Sequence, residues 1–147
     1  MNTFSTSRTL RASPAEVFAA FSHGERLARW WGPEGFSSRF EVFDFRPGGR
    51  WVFEMIGPNG DVYPNESVFS AIAPERHVVI RHACQPHFTL TVTLSPVGSD
   101  TLLHWEQVFD DPSVAQAVRH IVEPANEQNL DRLEAELSRR WTEAPRA

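Results

Sequence analysis

Lysine is missing from the chain. All 14 of its permanent cations are arginine, set against 19 carboxylates, for a formal net charge of -5 over 147 residues. The arginines are scattered, and the longest basic run is Arg139-Arg140. Nucleic-acid affinity rests on clustered cations, so nucleic acid is excluded as a partner. Arg139-Arg140 has a simpler role as cations near a helix C-terminus. Cysteine is almost missing too. The lone Cys84 cannot form a disulfide within the chain and reads as a small buried hydrophobe. No stretch approaches the roughly 20 apolar residues of a membrane span, and Met1 to Pro14 lacks the apolar run of a signal peptide. The expectation is a cytoplasmic protein with no membrane partner. It folds as one domain over residues 1–147, with a flexible tail after Trp141.

What the chain has instead is aromatic mass: 11 Phe and 5 Trp, with a single Tyr, Tyr63. Such residues wall apolar pockets and also fill ordinary cores, so their position along each element has to decide between the two.

Phe4 to Ala12 reads as a first strand. Ser13-Pro14-Ala15-Glu16 then carries a capping box with proline at the first helical position, followed by the apolar face of Val17, Phe18 and Phe21. Ser22-His23-Gly24-Glu25 reads as a second box, opening a helix with Leu27, Trp30 and Trp31 at i, i+3 and i+4. Six strand-like runs follow, punctuated by the turns Arg46-Pro47-Gly48-Gly49 and Gly57-Pro58-Asn59-Gly60-Asp61. Pro64 marks an edge or a bulge in the third of these strands counted from Phe36. Alternation puts Trp51, Phe53 and Met55 on one face, and likewise Val78, Ile80, His82 and Cys84. It does the same for Phe88, Leu90, Val92 and Leu94, and for Leu103, Trp105, Gln107 and Phe109. After Asp111-Pro112-Ser113, Pro124 predicts a short helix to about Glu123 and a longer one to about Trp141, carrying Leu130, Leu133, Leu137 and Trp141. Extended backward, that stripe reaches Asn126.

The order β-α-α-β6-α, with strands apolar on one face, describes an α+β fold. A curved antiparallel sheet wraps around a long C-terminal helix. The stretches Ser13-Pro14-Ala15-Glu16-Val17-Phe18, Arg29-Trp30-Trp31-Gly32-Pro33-Glu34-Gly35-Phe36 and Asp44-Phe45-Arg46-Pro47-Gly48-Gly49-Arg50-Trp51 carry a resemblance, together with Gly57-Pro58-Asn59-Gly60, Tyr63-Pro64-Asn65-Glu66 and Asn129-Leu130-Asp131-Arg132-Leu133. The chain resembles the activator of heat-shock protein 90 ATPase homologue-like family, within the START-like (SRPBCC) superfamily. The resemblance implies the helix-grip (START/Bet v-like) fold and a pocket between the sheet and the last helix. Two positions depart from the family pattern. Ala125-Asn126 stands where a Gly-Trp pair usually opens the long helix, and Ser67 stands where glycine is usual.

A small hydrophobic or amphipathic molecule is the expected partner. Its pocket is expected to draw on Trp30, Trp31, Phe40, Trp51, Phe53 and Met55, and on Tyr63, Phe69, Phe88, Leu90, Trp105 and Leu130. His82, Gln107 and Asn126 converge from the sheet and helix as polar groups that would orient a ligand or bond one another. A cyclase or dehydratase using the same pocket would take His82 as its acid-base group, with Tyr63 assisting. No cofactor is expected. His82, Cys84, His87 and His104 match no zinc spacing, and they alternate between the two faces of the sheet, so no metal is expected. The family's name raises a chaperone partner as a further role, and related domains suggest a homodimer.

Overall fold

The computed structural model describes residues 2–139. Its elements are β1 (Thr3–Leu10), α1 (Pro14–Ser22), α2 (Gly24–Trp30), β2 (Ser37–Phe43), β3 (Arg50–Ile56), β4 (Val62–Ala73), β5 (His77–His82), β6 (Phe88–Val97), β7 (Asp100–Phe109) and α3 (Pro112–Ser138). The strands form one antiparallel sheet in the order β1-β7-β6-β5-β4-β3-β2. This is the expected β-α-α-β6-α order. Register shifts at Phe40/Val42 and Phe69/Ala71 interrupt the ladders, and such bulges bend a sheet.

The first helix starts where its chemistry dictates. Ser13 Oγ accepts from the Glu16 N–H at 3.2 Å, and Glu16 Oε1 accepts from the Ser13 N–H at 2.9 Å. Such a cap contributes about 1 kcal/mol. The second helix corrects the sequence reading. Ser22 still belongs to α1, and His23 both closes α1 and opens α2, without a side-chain cap for α2. The His23 ring turns back instead, with Nδ1 2.9 Å from Ala19 O, so the two helices share a single residue as their joint.

At the Arg46–Gly49 turn the backbone leaves no room for a side chain at Gly49, where a Cβ would lie 1.9 Å from Asp44 O. Pro64 sits on β4, which is an interior strand, but β5 pairs with β4 only from Ser67 onward. The proline therefore occupies a locally open edge, where its missing N–H costs no ladder bond.

The long C-terminal helix is the second correction. It runs unbroken through Pro124. Proline removes the bond to the carbonyl four residues earlier, which here belongs to His120; both His120 and Pro124 are exposed, so water can reach that carbonyl. Packing holds the helix on both sides of the defect. Ala115 is buried against Phe4 and Phe109, and Leu130 and Leu133 are fully buried in the main core. Leu137 is half-buried against the same core. Trp141, and the tail expected after it, lie outside the described residues.

Ion pairs fix the helix at two further places. Arg8 on β1 donates to Glu127, Asp131 and Glu134, three carboxylates on one face of α3. Glu136 is buried against α2. It accepts from Arg26 Nε at 2.9 Å and from Arg29 Nε at 3.0 Å, with a second Arg29 bond at 2.9 Å. Between helix and sheet lies an aromatic stack, in which Trp51 lies 4.3 Å from Phe53 and 5.6 Å from Phe69, centroid to centroid, with nearly parallel planes.

Candidate functional site

The inner face of the sheet and α3 do not close on each other completely. A cleft of about 160 Å³ remains between β6, β7 and α3, roofed by the loop after α2. Trp31, Gly32 and Pro33 form the roof; Met55, Phe88, Leu90, Trp105 and Gln107 come from the sheet; Ile121, Val122, Ala125, Asn126 and Asn129 come from the helix. No residue in this lining carries a titratable side chain. Ile121 is 59% exposed, a large apolar side chain standing at the cleft in contact with solvent.

The roof is held by polar groups from α3. Asn129 Nδ2 donates to Trp30 O at 2.9 Å, and its Oδ1 accepts from the Gly32 N–H at 3.3 Å. The Arg132 guanidinium donates to the carbonyls of Arg29, Trp31, Gly32 and Pro33 at 2.8 to 3.2 Å. Burial alone pulls the Arg132 pKa down, and no carboxylate offsets it. Its counter-charge is the carbonyl end of α2 and the turn that follows, the place where a helix favours a cation. Gly32 has φ +102°, and a Cβ there would come within 2.6 Å of the Met55 side chain, so roof and sheet touch at this point.

The wall also contains polar groups. Asn126 Nδ2 donates to Gln107 Oε1 at 3.1 Å, which joins helix to sheet across the cleft. The Trp105 indole Nε1 is buried and has no hydrogen-bond partner.

Of the residues expected to form a pocket, the structure brings Trp31, Met55, Phe88, Leu90, Trp105, Gln107 and Asn126 together around this cleft. Trp30, Trp51, Phe53, Phe69 and Leu130 are instead packed into the core, with Phe40 half-buried against it. The reason is direct aromatic packing. Trp30 is fully buried, gives its N–H to Ala20 O at 3.0 Å and meets Phe21 edge-to-face. Phe40 meets Trp51 edge-to-face. Tyr63 is 44% exposed and pairs with the Phe36 ring, away from the cleft lining.

His82 is buried, as alternation predicts, but it is not part of the cleft lining. One face of its ring stacks on Phe88. Its Nδ1 lies 2.7 Å from Pro86 O and its Nε2 2.8 Å from Asn65 Oδ1, while Asn65 Nδ2 donates to Tyr63 O at 2.9 Å. Two acceptors call for a doubly protonated ring. Burial is the largest influence and acts the other way, and it pushes the imidazole below the ordinary histidine value. Burial governs here, because a cation with no carboxylate beside it is costly inside a protein. The neutral ring carries one proton and so donates to only one of these two acceptors. Cys84 is half-buried, with Sγ 3.6 Å from His82 Nε2. No group of three or more His, Cys, Asp or Glu side chains placed to hold a metal occurs among the described residues.

The lining residues missed in the sequence are Gly32, Pro33, Ile121, Val122, Ala125 and Asn129. Ile121, Val122, Ala125, Asn126 and Asn129 share one helical face, but reading Pro124 as a break cut that face in two.

A larger concavity of about 410 Å³ lies elsewhere, between α1 and the end of α3, lined in part by Glu16, His23, Arg26 and Arg139. It borders the last described residue, so its outer wall is not defined by the described residues. Its lining is mostly charged or polar, unlike that of the cleft.

A curved antiparallel sheet gripping a long helix over a small apolar cleft defines an α+β domain of the helix-grip class. Residues 11–138 match the Activator of Hsp90 ATPase homolog 1-like protein family, and the chain belongs to that family. Solved structures agree with the fold. A protein from Nitrosomonas europaea superposes with a TM-score of 0.85 at 21% identity, covering 92% of this chain and 94% of that one. An AHSA1 protein from Silicibacter pomeroyi gives 0.74 at 23% identity, over 92% and 96% of the two chains. A protein from Rhizobium loti is 30% identical, with a TM-score of 0.69 over 91% and 95%. No curated protein matches the sequence.

Proposed function

We propose that this protein binds a small apolar or amphipathic molecule in the cleft between β6, β7 and α3. The observation that carries the reading is the cleft itself. It is apolar, walled by aromatic rings and furnished with a few placed amides, the composition typical of ligand sites. Its volume of about 160 Å³ is below the several hundred Å³ of drug-sized pockets. It is close to that of an engineered apolar cavity of ~150 Å³ that takes up benzene. The cleft as it stands therefore accommodates a group about the size of one small ring, and a longer ligand would extend out of it.

A cyclase or dehydratase reading needs an acid-base group beside the substrate, and the lining offers none. Docking onto a protein, as the family's description suggests, would use an outer surface rather than this cleft and is not part of the proposal.

Titration with α-methylstyrene, followed by tryptophan fluorescence, tests the reading, because Trp31 and Trp105 wall the cleft. The expected result is saturable quenching that Ala125→Phe abolishes while the variant still melts cooperatively. Quenching that survives Ala125→Phe, or no saturation in the wild type, would overturn it.

A further inference from the structure

We propose, resting on the reading that the cleft is the binding site, that its ligand carries a hydrogen-bond acceptor and a hydrogen-bond donor on adjacent atoms, as a carboxamide or lactam does. Gln107 and Asn126 receive that edge together.

Three amide side chains line the cleft: Gln107, Asn126 and Asn129. Both ends of Asn129 are taken by the roof. Gln107 and Asn126 share a single bond, from Asn126 Nδ2 to Gln107 Oε1 at 3.1 Å. The second bond, which would close the two amides into a ring, is not made. Gln107 Nε2 and Asn126 Oδ1 therefore have no hydrogen-bond partner among the described residues. The first is a donor and the second an acceptor, and the bond between the two side chains anchors both. Exchanging N and O in both amides gives the same outcome, one free donor beside one free acceptor.

The free pair is within reach of a ligand. Among the described residues, the side-chain polar atoms that are unpaired and also sealed from water are Ser38 Oγ, Trp51 Nε1 and Trp105 Nε1. Gln107 Nε2 and Asn126 Oδ1 are unpaired but not sealed, so each keeps surface that a small molecule can touch. Gln107 is only 8% exposed, and the space it lines is the cleft. An amide so deeply buried in an apolar wall is costly unless its polar groups are bonded. A molecule entering the cleft must replace whatever bonds those groups make to water, or lose affinity.

Complementarity then selects the ligand group. A carboxylate offers only acceptors and an ammonium only donors. A ketone satisfies Gln107 Nε2 and leaves Asn126 Oδ1 facing carbon. A carboxamide edge satisfies both at once, its C=O accepting from Gln107 and its N–H donating to Asn126. The part of the molecule inside the cleft is about one small ring in size.

Benzamide, acetophenone and α-methylstyrene make the test. They share one shape and carry in turn an acceptor with a donor, an acceptor alone, and neither. Affinities are measured by calorimetry for the wild type and for Gln107→Leu/Asn126→Leu. Replacing both partners of a bond by apolar groups of similar shape is close to neutral for folding. The double substitution should weaken benzamide at least about fivefold, and at least about twofold more than it weakens acetophenone, the low end of what such bonds contribute. It should weaken α-methylstyrene by no more than about twofold. By NMR, benzamide should move the Gln107 side-chain NH₂ protons of the wild type downfield, and α-methylstyrene should not.

If α-methylstyrene binds the wild type but the double substitution weakens all three ligands equally, the inference is overturned and the cleft stands. Acetophenone weakened as much as benzamide would remove the role of Asn126 as acceptor, and with it the carboxamide assignment. If none of the three saturates the wild type, the cleft reading and this inference fall together. Should the double variant fail to melt cooperatively, the wild-type Gln107 NH₂ protons decide, and their failure to respond to bound benzamide overturns the inference.

Discussion

Phe88 lies face to face on His82, with ring centroids 4.4 Å apart and planes inclined by 10°. Phe88 contributes to the cleft wall and His82 does not. The histidine on the inner face is stacked behind the wall, with its two ring nitrogens against Pro86 O and Asn65 Oδ1.

That placement has a pH signature. Burial, the largest influence, holds the folded-state pKa of His82 below its ordinary value of about 6.5. The folded protein then binds fewer protons than the unfolded chain in the window below pH ~6.5. The stability that the neutral ring contributes is full above that pH and is lost as the pH falls through the window. Urea midpoints measured from pH 8 to pH 5 should fall more steeply for the wild type than for His82→Gln. Parallel curves would show that His82 is not the group responsible.

Glu136 is the buried counter-charge for α2. Burial by itself raises its carboxyl pKa, but the hydrogen bonds from Arg29 and Arg26 outweigh it and hold the group below the ordinary carboxylate value. Glu136→Gln takes the shared carboxylate away from the buried Arg26 guanidinium, which is about 5% exposed, and from Arg29. Removing one partner of a buried pair costs about 3–5 kcal/mol. Because the folded pKa is depressed, the contribution is present above about pH 4.3 and lost on acidification. Acid unfolding should therefore begin at higher pH for the wild type than its neutral-pH stability alone implies, and Glu136→Gln should lose that excess acid sensitivity. Chemical denaturation at pH 7 and pH 3 measures both effects, and a loss below 1 kcal/mol at pH 7 would contradict the assignment.

Arg132 should control the roof of the cleft. Arg132→Met keeps the aliphatic stem and removes every bond to the carbonyls of residues 29 and 31–33. Those carbonyls lose a charged donor, at a cost of about 1–3 kcal/mol. Hydrogen exchange should accelerate at Gly32 by tenfold or more, while the amides of β7 stay protected. Equal acceleration in both places would mean global destabilisation rather than a loosened roof.

The limits of the sequence show at Pro124 and at the tryptophans. A proline within a helical pattern is locally a breaker, and reading it so divided α3 in two and hid the face bearing Ile121, Ala125 and Asn129. The helix continues because burial of Ala115 on one side and of Leu130 and Leu133 on the other offsets one lost backbone bond. Burial of that kind is a property of partners distant in sequence, and no local window contains it.

Alternation along strands is local, and it set which side chains face inward: Leu90, Trp105, Gln107 and His82 are all buried as their parity requires. The capping box at Ser13 and the strand order along the chain were equally legible, because each depends on residues a few positions apart. Which inward residues would leave a space was not. Trp51, Phe53 and Phe69 have the same parity signature as Leu90 and Trp105, yet the first three stack into solid core while the other two wall a cleft. Pattern fixes the direction of a side chain. Only the three-dimensional fit of rings from β3, β4 and the loop after α2 against α3 decides whether the volume in front of it is filled.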